Sequence, residues 1–243
     1  MNIALIAYGK MGKEVEHAAE RRGVKVKHIF PTDRELISIN KKTLHDVDVC
    51  VDFTSPLATL DIVQRVAECG KNIVIGTTGW YDQLEPISSL VTKKKIGMLY
   101  SPNFSLGMNL FFQIAAAAAS SINEFDEYDV AVHEIHHREK ADSPSGTALT
   151  IGRILLDHCR KKRELLTETS HEKIPPTKLH VTSERVGRVV GTHSIFFDSE
   201  ADSIELVHRA KNRSGFALGA IIAAEWLVGK KGVYTMKDVL ETL

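Results

Sequence analysis

The chain has 243 residues, with 31 lysines and arginines against 31 aspartates and glutamates, so it lacks the overall basic field that holds a phosphate backbone, and nucleic acid is not an expected partner. That length suits two small domains or one long one, each able to bury a core. Cys50, Cys69 and Cys159 form no CxxC pair, which fits reduced thiols better than a disulfide framework. The opening run Met1 to Tyr8 carries no basic leader, and no later stretch reaches the roughly eighteen apolar residues of a membrane span, so a cytoplasmic protein without a membrane partner is expected.

In chain order, the first hundred residues alternate short β-branched runs with helical patterns. Strands are expected over Ile3–Ala7, Val24–Phe30, Val47–Phe53, Asn72–Ile75 and Ile96–Tyr100, and helices over Met11–Arg22 and Leu57–Glu68. The strands are apolar almost throughout, as strands buried on both faces are, so a parallel sheet covered by helices follows. From Phe104 the pattern changes to a long alanine-rich helix, a strand Tyr128–His136 and a helix beginning near Ser145. A polar stretch follows, Lys161–Lys178, and then the alternating runs Leu179–Val186, Val189–Phe197 and Ser203–His208, which read as an antiparallel or mixed sheet with one open face. The last helix, Phe216–Val228, is apolar nearly all round and is expected to be wedged between other elements, returning to the first domain. The boundaries that result are 1–106 with 213–243 for one domain and 107–212 for the other.

The turn after the first strand, Ala7-Tyr-Gly9-Lys10-Met11-Gly12, fits G-x-G-x-x-G except that alanine stands at the first glycine. The spacing has a physical purpose: Gly9 lets the backbone approach a pyrophosphate, Gly12 lets helix and strand pack closely, and the helix start attracts the anion. Ala7 is expected to take angles open to a residue with a Cβ, in a slightly wider turn. Asp33 and Arg34 stand near the tip of the second strand; an aspartate holds a ribose 2′-hydroxyl and an arginine a 2′-phosphate, so the choice between NADH and NADPH stays open. Phe53 with Thr54, Gly76-Thr77-Thr78-Gly79, and Ser101-Pro102-Asn103-Phe104 fall at other strand ends, together outlining a cofactor cleft along one edge. Arg213 and Phe216 sit where the last helix begins and are candidates to reach the same cofactor. The segments Phe104–Gly107 and Asn212–Gly215 are plausible hinges.

His133-Glu134-Ile-His136-His137 satisfies H-E-x-x-H, a zinc pattern that works only on a helix. The approach from Tyr128 alternates and is β-branched, so a strand is expected here and no metal site. On a strand, His136 and His137 point to opposite sides unless the loop turns both inward. Lys140 follows, and Pro144-Ser145-Gly146-Thr147 opens a helix whose early N–H groups suit an anion. A histidine acid, a lysine cation and a helix start within twelve residues fit a carboxylate substrate that gains negative charge in the reaction. Arg185, Arg188, His193, His208, Arg209 and Lys211 read individually as a solvated face or surface pairs.

The run Glu134-Ile-His-His-Arg-Glu-Lys-Ala-Asp-Ser-Pro-Ser-Gly-Thr-Ala148 resembles the E-x-H-H-x-x-K-x-D-x-P-S-G-T-A signature of the 4-hydroxy-tetrahydrodipicolinate reductase family, also called dihydrodipicolinate reductases. Supporting matches are Asp52-Phe-Thr54, Gly76-Thr-Thr-Gly79, Asn103-Phe-Ser-Leu-Gly-Met-Asn109, Arg185-x-Gly187 with Gly191-x-His193, and Arg213 with the run from Phe216. The resemblance runs end to end. It implies a Rossmann-like domain, a smaller α+β substrate domain with a mixed sheet, and a homotetramer made through the sheets. By the same resemblance His136 is the general acid and Lys140 a second catalytic or proton-donating residue, which is also expected to hold a substrate carboxylate. His137, Gly146 and Thr147, with the Ser145 helix start, contact the carboxylates of a small dicarboxylate. Gly9 to Gly12, Gly76 to Thr78 and Ser101 to Phe104 contact NADH or NADPH. Another dinucleotide-dependent oxidoreductase, a zinc hydrolase and a nucleotide-sensing module are the competing readings.

Overall fold

The structure, a computed structural model, describes every residue except Thr32 and Leu243, and of residues 33–35 the backbone only. In chain order the elements are β1 (Asn2–Ile6), α1 (Lys10–Arg21), β2 (Lys25–Phe30), β3 (Val49–Asp52), α2 (Thr59–Glu68), β4 (Asn72–Ile75), α3 (Leu84–Lys94), β5 (Gly97–Tyr100), α4 (Leu106–Ile122), β6 (Asp129–His136), α5 (Gly146–His158), β7 (Glu164–Leu166), β8 (Lys178–Arg185), β9 (Thr192–Asp198), β10 (Ser203–Arg209), α6 (Ser214–Leu227), β11 (Gly232–Tyr234) and α7 (Met236–Leu240). They fall into two compact units, Met1–Leu106 with Arg213–Leu243, and Gly107–Asn212.

The first unit is an α/β layer structure around a six-stranded sheet of order β11-β5-β4-β3-β1-β2, parallel throughout. Its inner strands β1, β3, β4 and β5 are buried on both sides because both sides are covered, whereas the edge strand β2 exposes Lys25 and Lys27. Ile3, Leu5, Val49, Val51, Val74 and Leu99 face a cluster with α1 and α6, and Ala4, Ile6, Cys50, Ile73, Ile75 and Met98 face one with α2 and α3. Close packing of α6 rests on Gly219: a Cβ there would lie 1.7 Å from the carbonyl oxygen of Phe104, so no larger residue lets the helix lie on the Ser101–Phe104 segment. The strand order reverses direction between β1 and β3, which places the crevice of an open parallel sheet at their carboxyl ends. The sheet ladder continues one residue beyond the strands on that edge. Ala7 N donates to Phe30 O at 2.9 Å, Phe53 N to Ile6 O at 3.1 Å, Gly76 N to Asp52 O at 2.8 Å and Ser101 N to Ile75 O at 3.3 Å. Four loops therefore leave the sheet from defined positions.

The second unit has a mixed five-stranded sheet of order β10-β9-β6-β8-β7, in which β6 runs parallel to β8 and antiparallel to β9. Val130 and Val132 of β6, Leu179 and Val181 of β8, and Ile195 and Phe197 of β9 point to one face and pack with α4 and α5. The period of two carries the same face onward along β6 to Glu134 and His136, both buried. Ala131, His133 and Ile135 point to the other face, with Phe196 opposite Ala131 and 37% exposed. Among the described residues no helix is long and apolar enough to cross a membrane.

Candidate active site

On the first unit, the glycine turn differs from expectation at Ala7. Its φ is 74°, in the left-handed region, rather than an angle comfortable for a residue with a Cβ. The cause is the shortness of the turn. Ala7 N is still held in the sheet by Phe30 O, while Gly9 already caps α1, so the chain must reverse within two residues. Gly12 answers the same constraint, since a Cβ there would lie 2.6 Å from Ala7 O. The start of α1 has no side-chain cap and no acidic residue in its first turn, which leaves it suited to an anion such as a pyrophosphate. Gly9 and Lys10 are exposed and Met11 is half-buried.

The neighbouring loops are held by Asp52, which entered the sequence reading only within the matching run Asp52-Phe-Thr54. Asp52, fully buried at the end of β3, accepts hydrogen bonds from Thr54 N at 3.0 Å and from Thr77 Oγ1 at 3.0 Å, tying two loops together. A Cβ on Gly76 would enter the ring of Phe53, so these two candidates are packed against each other. Thr54 Oγ1 is a buried hydroxyl with no partner among the described residues, and Thr78 is exposed on the same edge. Ser101 and Asn103 are buried and brace their own turn, with Ser101 Oγ donating to Asn103 O at 2.8 Å and Asn103 Oδ1 accepting from Ser105 N at 2.9 Å. Pro102 between them is exposed, whereas Phe104 is a core residue with its ring 6.2 Å from that of Phe53. Arg213 is exposed where α6 begins and Phe216 is half-buried one turn on. The side chains of Asp33 and Arg34 lie outside the described residues.

On the second unit the H-E-x-x-H pattern lies on β6 and the following residue, not on a helix, so His133 and Glu134 face opposite ways. His133 Nδ1 meets Thr182 Oγ1 at 2.8 Å on the outer face. Inside, the Glu134 carboxylate is the meeting point of three elements. Its Oε2 bonds His136 Nδ1, and its Oε1 accepts from Arg185 Nη2 at 2.8 Å and from Ser145 N at 3.1 Å. Burial alone would raise the Glu134 pKa, but the hydrogen bonds from His136 and Arg185 outweigh it and hold the group at about 2. Arg185, opposite His136 in the parallel register, also donates through Nε to Lys140 O at 3.2 Å and through Nη2 to Asp142 O. It is a clamp for the loop that carries Lys140, not a solvated surface cation.

His193 departs from the surface reading as well. It is 4% exposed, with its ring edge-to-face on His136 at 5.2 Å and its Nε2 3.4 Å from Ser145 Oγ. Burial, then the nearby His136, pushes its pKa down to about 3, so it is a neutral imidazole. Glu134, His136 and His193 bring three ligand-type atoms within 4.8 Å of one another, yet both Glu134 oxygens already serve hydrogen bonds and a guanidinium, which disfavours a cation there.

Lys140 pairs with Asp142 Oδ1 at 2.8 Å beside the start of α5, and Gly146 N approaches Asp142 Oδ2 at 3.4 Å. Ser145 caps α5 by accepting from Ala148 N at 3.2 Å, so the side chain expected to touch substrate also shapes the helix start. His137 is half-buried just past β6, with a buried Nδ1 that has no partner among the described residues, and Thr147 is half-buried in the first turn of α5. His136, His137, Lys140, Ser145, Gly146 and Thr147 are thus gathered at one end of β6. Glu134, Arg185 and His193 were missed as a group because their link is across strands; the one local signal was an acid two residues before a histidine on a strand, hence on its face.

A parallel-sheet unit with an anion-ready helix start, joined in one chain to a mixed-sheet unit holding a buried histidine–carboxylate pair, has the parts of a dinucleotide-binding enzyme. The family models for the N-terminus and C-terminus of dihydrodipicolinate reductase match residues 1–104 and 107–240. The chain is 38% identical to the 4-hydroxy-tetrahydrodipicolinate reductase of Christiangramia forsetii, over 100% of this chain and 99% of that protein. It is also 38% identical to the 4-hydroxy-tetrahydrodipicolinate reductase of Archaeoglobus fulgidus, over 97% of each. A solved dipicolinate-bound dihydrodipicolinate reductase from Paenisporosarcina sp. TG-14 has the same fold, with a TM-score of 0.77 at 23% identity over 97% of each chain. The chain belongs to the dihydrodipicolinate reductase family.

Two outcomes test this geometry. Ala7→Gly should raise stability to urea by roughly 1 kcal/mol, the relief of a left-handed alanine less the added freedom of glycine in the unfolded chain. Acid should act through the buried pair. The unfolded chain protonates His193 near its ordinary 6.5 and the folded chain only near 3, so the stability His193 contributes is whole above 6.5 and lost as pH falls toward 3. Glu134 loses its contribution lower, between 4.5 and about 2. Urea midpoints should therefore fall with pH below 6.5, and His193→Gln should flatten the part of that slope above 4.5.

Proposed function

We propose that the chain reduces 4-hydroxy-tetrahydrodipicolinate to tetrahydrodipicolinate at the expense of NADH or NADPH, in lysine and diaminopimelate biosynthesis, with His136 as the acid. Membership of the family supports the reaction, and the observation that carries the residue assignment is the buried Glu134–His136 pair at the end of β6, with Lys140 and the α5 start beside it. The first unit takes the role of dinucleotide domain and the second that of substrate and assembly domain.

The backbone of Gly9 to Gly12 would hold the pyrophosphate, with Phe53, Thr54, Gly76, Thr77, Thr78 and the Ser101–Phe104 turn lining the same edge and Arg213 and Phe216 reaching it. When bound, the reduced nicotinamide supplies the hydride. Asp33 suits a ribose 2′-hydroxyl and Arg34 a 2′-phosphate, so the proposal allows either nicotinamide. The substrate ring, once it has lost water, carries a carbon–carbon double bond conjugated with its imine; hydride adds to the far carbon of that system and the electron pair moves onto the ring nitrogen, leaving an enamine anion. His136 then delivers a proton from Nε2 to the enamine carbon. Lys140 turns from Asp142 to a substrate carboxylate, and His137 with the N–H groups of Gly146 and Thr147 binds carboxylate oxygens at the helix start. The face of the second sheet bearing Ala131, His133, Ile135 and Phe196 is assigned to a homotetramer, because it alternates with the buried face and keeps an exposed aromatic. Cytoplasmic residence belongs to the same proposal.

Turnover is read from loss of reduced nicotinamide in the presence of freshly made substrate. His136→Gln should lower kcat by about 100- to 10,000-fold with cofactor affinity nearly intact, and near-normal kcat would remove His136 as the acid. Lys140→Ala should chiefly raise KM for the dicarboxylate; a collapsed kcat at unchanged KM would make Lys140 the acid instead. Light scattering of the purified protein should give the mass of four chains, and a monomer would refute the assembly.

A further inference from the structure

We infer that Glu134 is the positioning residue of the reaction: its carboxylate selects the ring tautomer of His136, keeping the proton on Nδ1 so that Nε2 is the end that delivers the second proton. The inference rests on His136 being the acid, and goes beyond it by saying which nitrogen acts and what holds it there.

A carboxylate has only acceptors, so the His136 nitrogen facing Glu134 Oε2 must carry a hydrogen. The other carboxylate oxygen cannot turn away, because Arg185 Nη2 and Ser145 N hold it at 2.8 and 3.1 Å. With Nδ1–H committed to Glu134, the imidazolium has one transferable proton, on Nε2, and the ring left after transfer is the neutral Nδ1–H form already matched to the carboxylate. Neither step asks the ring to flip. The surroundings of Nε2 agree. At Gly191 a Cβ would lie 2.9 Å from His136 Nε2, so glycine leaves clear the edge from which the proton departs.

The charges facing His136 come from every neighbouring strand. Glu134 on β6 meets the ring directly, Arg185 on β8 is neutralised by the same carboxylate, and Lys140 in the loop is paired with Asp142. His193 on β9, with its register partner His208 behind it on β10, is kept neutral by burial and so adds no repulsion. Glu134 is the counter-charge in direct contact with the ring. A carboxylate that orients and charges an imidazole is a general device of acid–base sites.

Glu134→Gln isolates this role. The carboxamide oxygen still accepts from Arg185 and Ser145, but its NH2 faces Nδ1, which must then accept. That fixes the neutral Nε2–H tautomer and sets two donors against each other in the imidazolium. The expected result is a basic limb of the kcat profile moved down by about one pH unit or more, with kcat reduced roughly 10- to 100-fold near pH 8, much less near pH 5.5, and KM for the nicotinamide unchanged. Glu134→Asp, which keeps the carboxylate, should lower kcat without moving the limb. Nitrogen NMR of histidine-labelled wild-type enzyme should show His136 as Nδ1–H when neutral, a readout that needs neither activity nor a folded variant. A folded Glu134→Gln enzyme with the wild-type pH limb, or a wild-type spectrum with Nε2–H, overturns the inference. Normal turnover of His136→Gln instead overturns the acid assignment and leaves the tautomer result standing.

Discussion

A carboxylate inside a β-sheet is tolerable only if its charge is met where it lies, and the second unit is organised around that requirement at Glu134. Removing one partner from a buried charge costs about 3–5 kcal/mol, a large part of a domain's stability. The partners come from three places in the chain: His136 from the same strand face, Arg185 from β8, and the Ser145 N–H from the start of α5. Satisfying one acid therefore sets the parallel register of β6 with β8 and the point at which α5 begins. A slip of one residue in β6 would send Glu134 and His136 to the open face together and leave Arg185 without its anion.

The loop bearing Lys140 inherits its position from the same clamp, since Arg185 donates to the carbonyls of Lys140 and Asp142. Histidine, lysine and helix start are thus supported by one guanidinium–carboxylate pair, and none relies on the loop being rigid by itself. In the first unit Asp52 has the parallel role, joining the loops of Thr54 and Thr77 at the carboxyl edge. In both units a buried acid at the end of a strand fixes flanking backbone, and the residues assigned to binding follow from it.

Much of the architecture was legible because its period is local. The β-branched runs became β1 to β6, the alanine-rich run became α4, and the all-round apolar run from Phe216 became α6 in the core of the first unit. What was not legible lacks such a period. β7 and β11 have three residues each and are strands only because β8 and β5 supply the other half of the ladder. α3, with Lys93 and Lys94 in its last turn and Pro86 in its first, offered a weaker pattern than its neighbours.

In the site, the histidine pair, the lysine and the glycine-opened helices were readable before folding, because the chemistry and spacing of those residues are contiguous and the family signature spans them. Tertiary structure decided which of them work together. Ala7 took a left-handed angle because a sheet hydrogen bond and a helix start leave it two residues in which to turn. His193 moved from an expected surface to the interior, and Arg185 to a partly buried place, because cross-strand pairing set them against Glu134 and His136. Those partners lie about fifty residues from the histidines along the chain, and only the folded register brings them together.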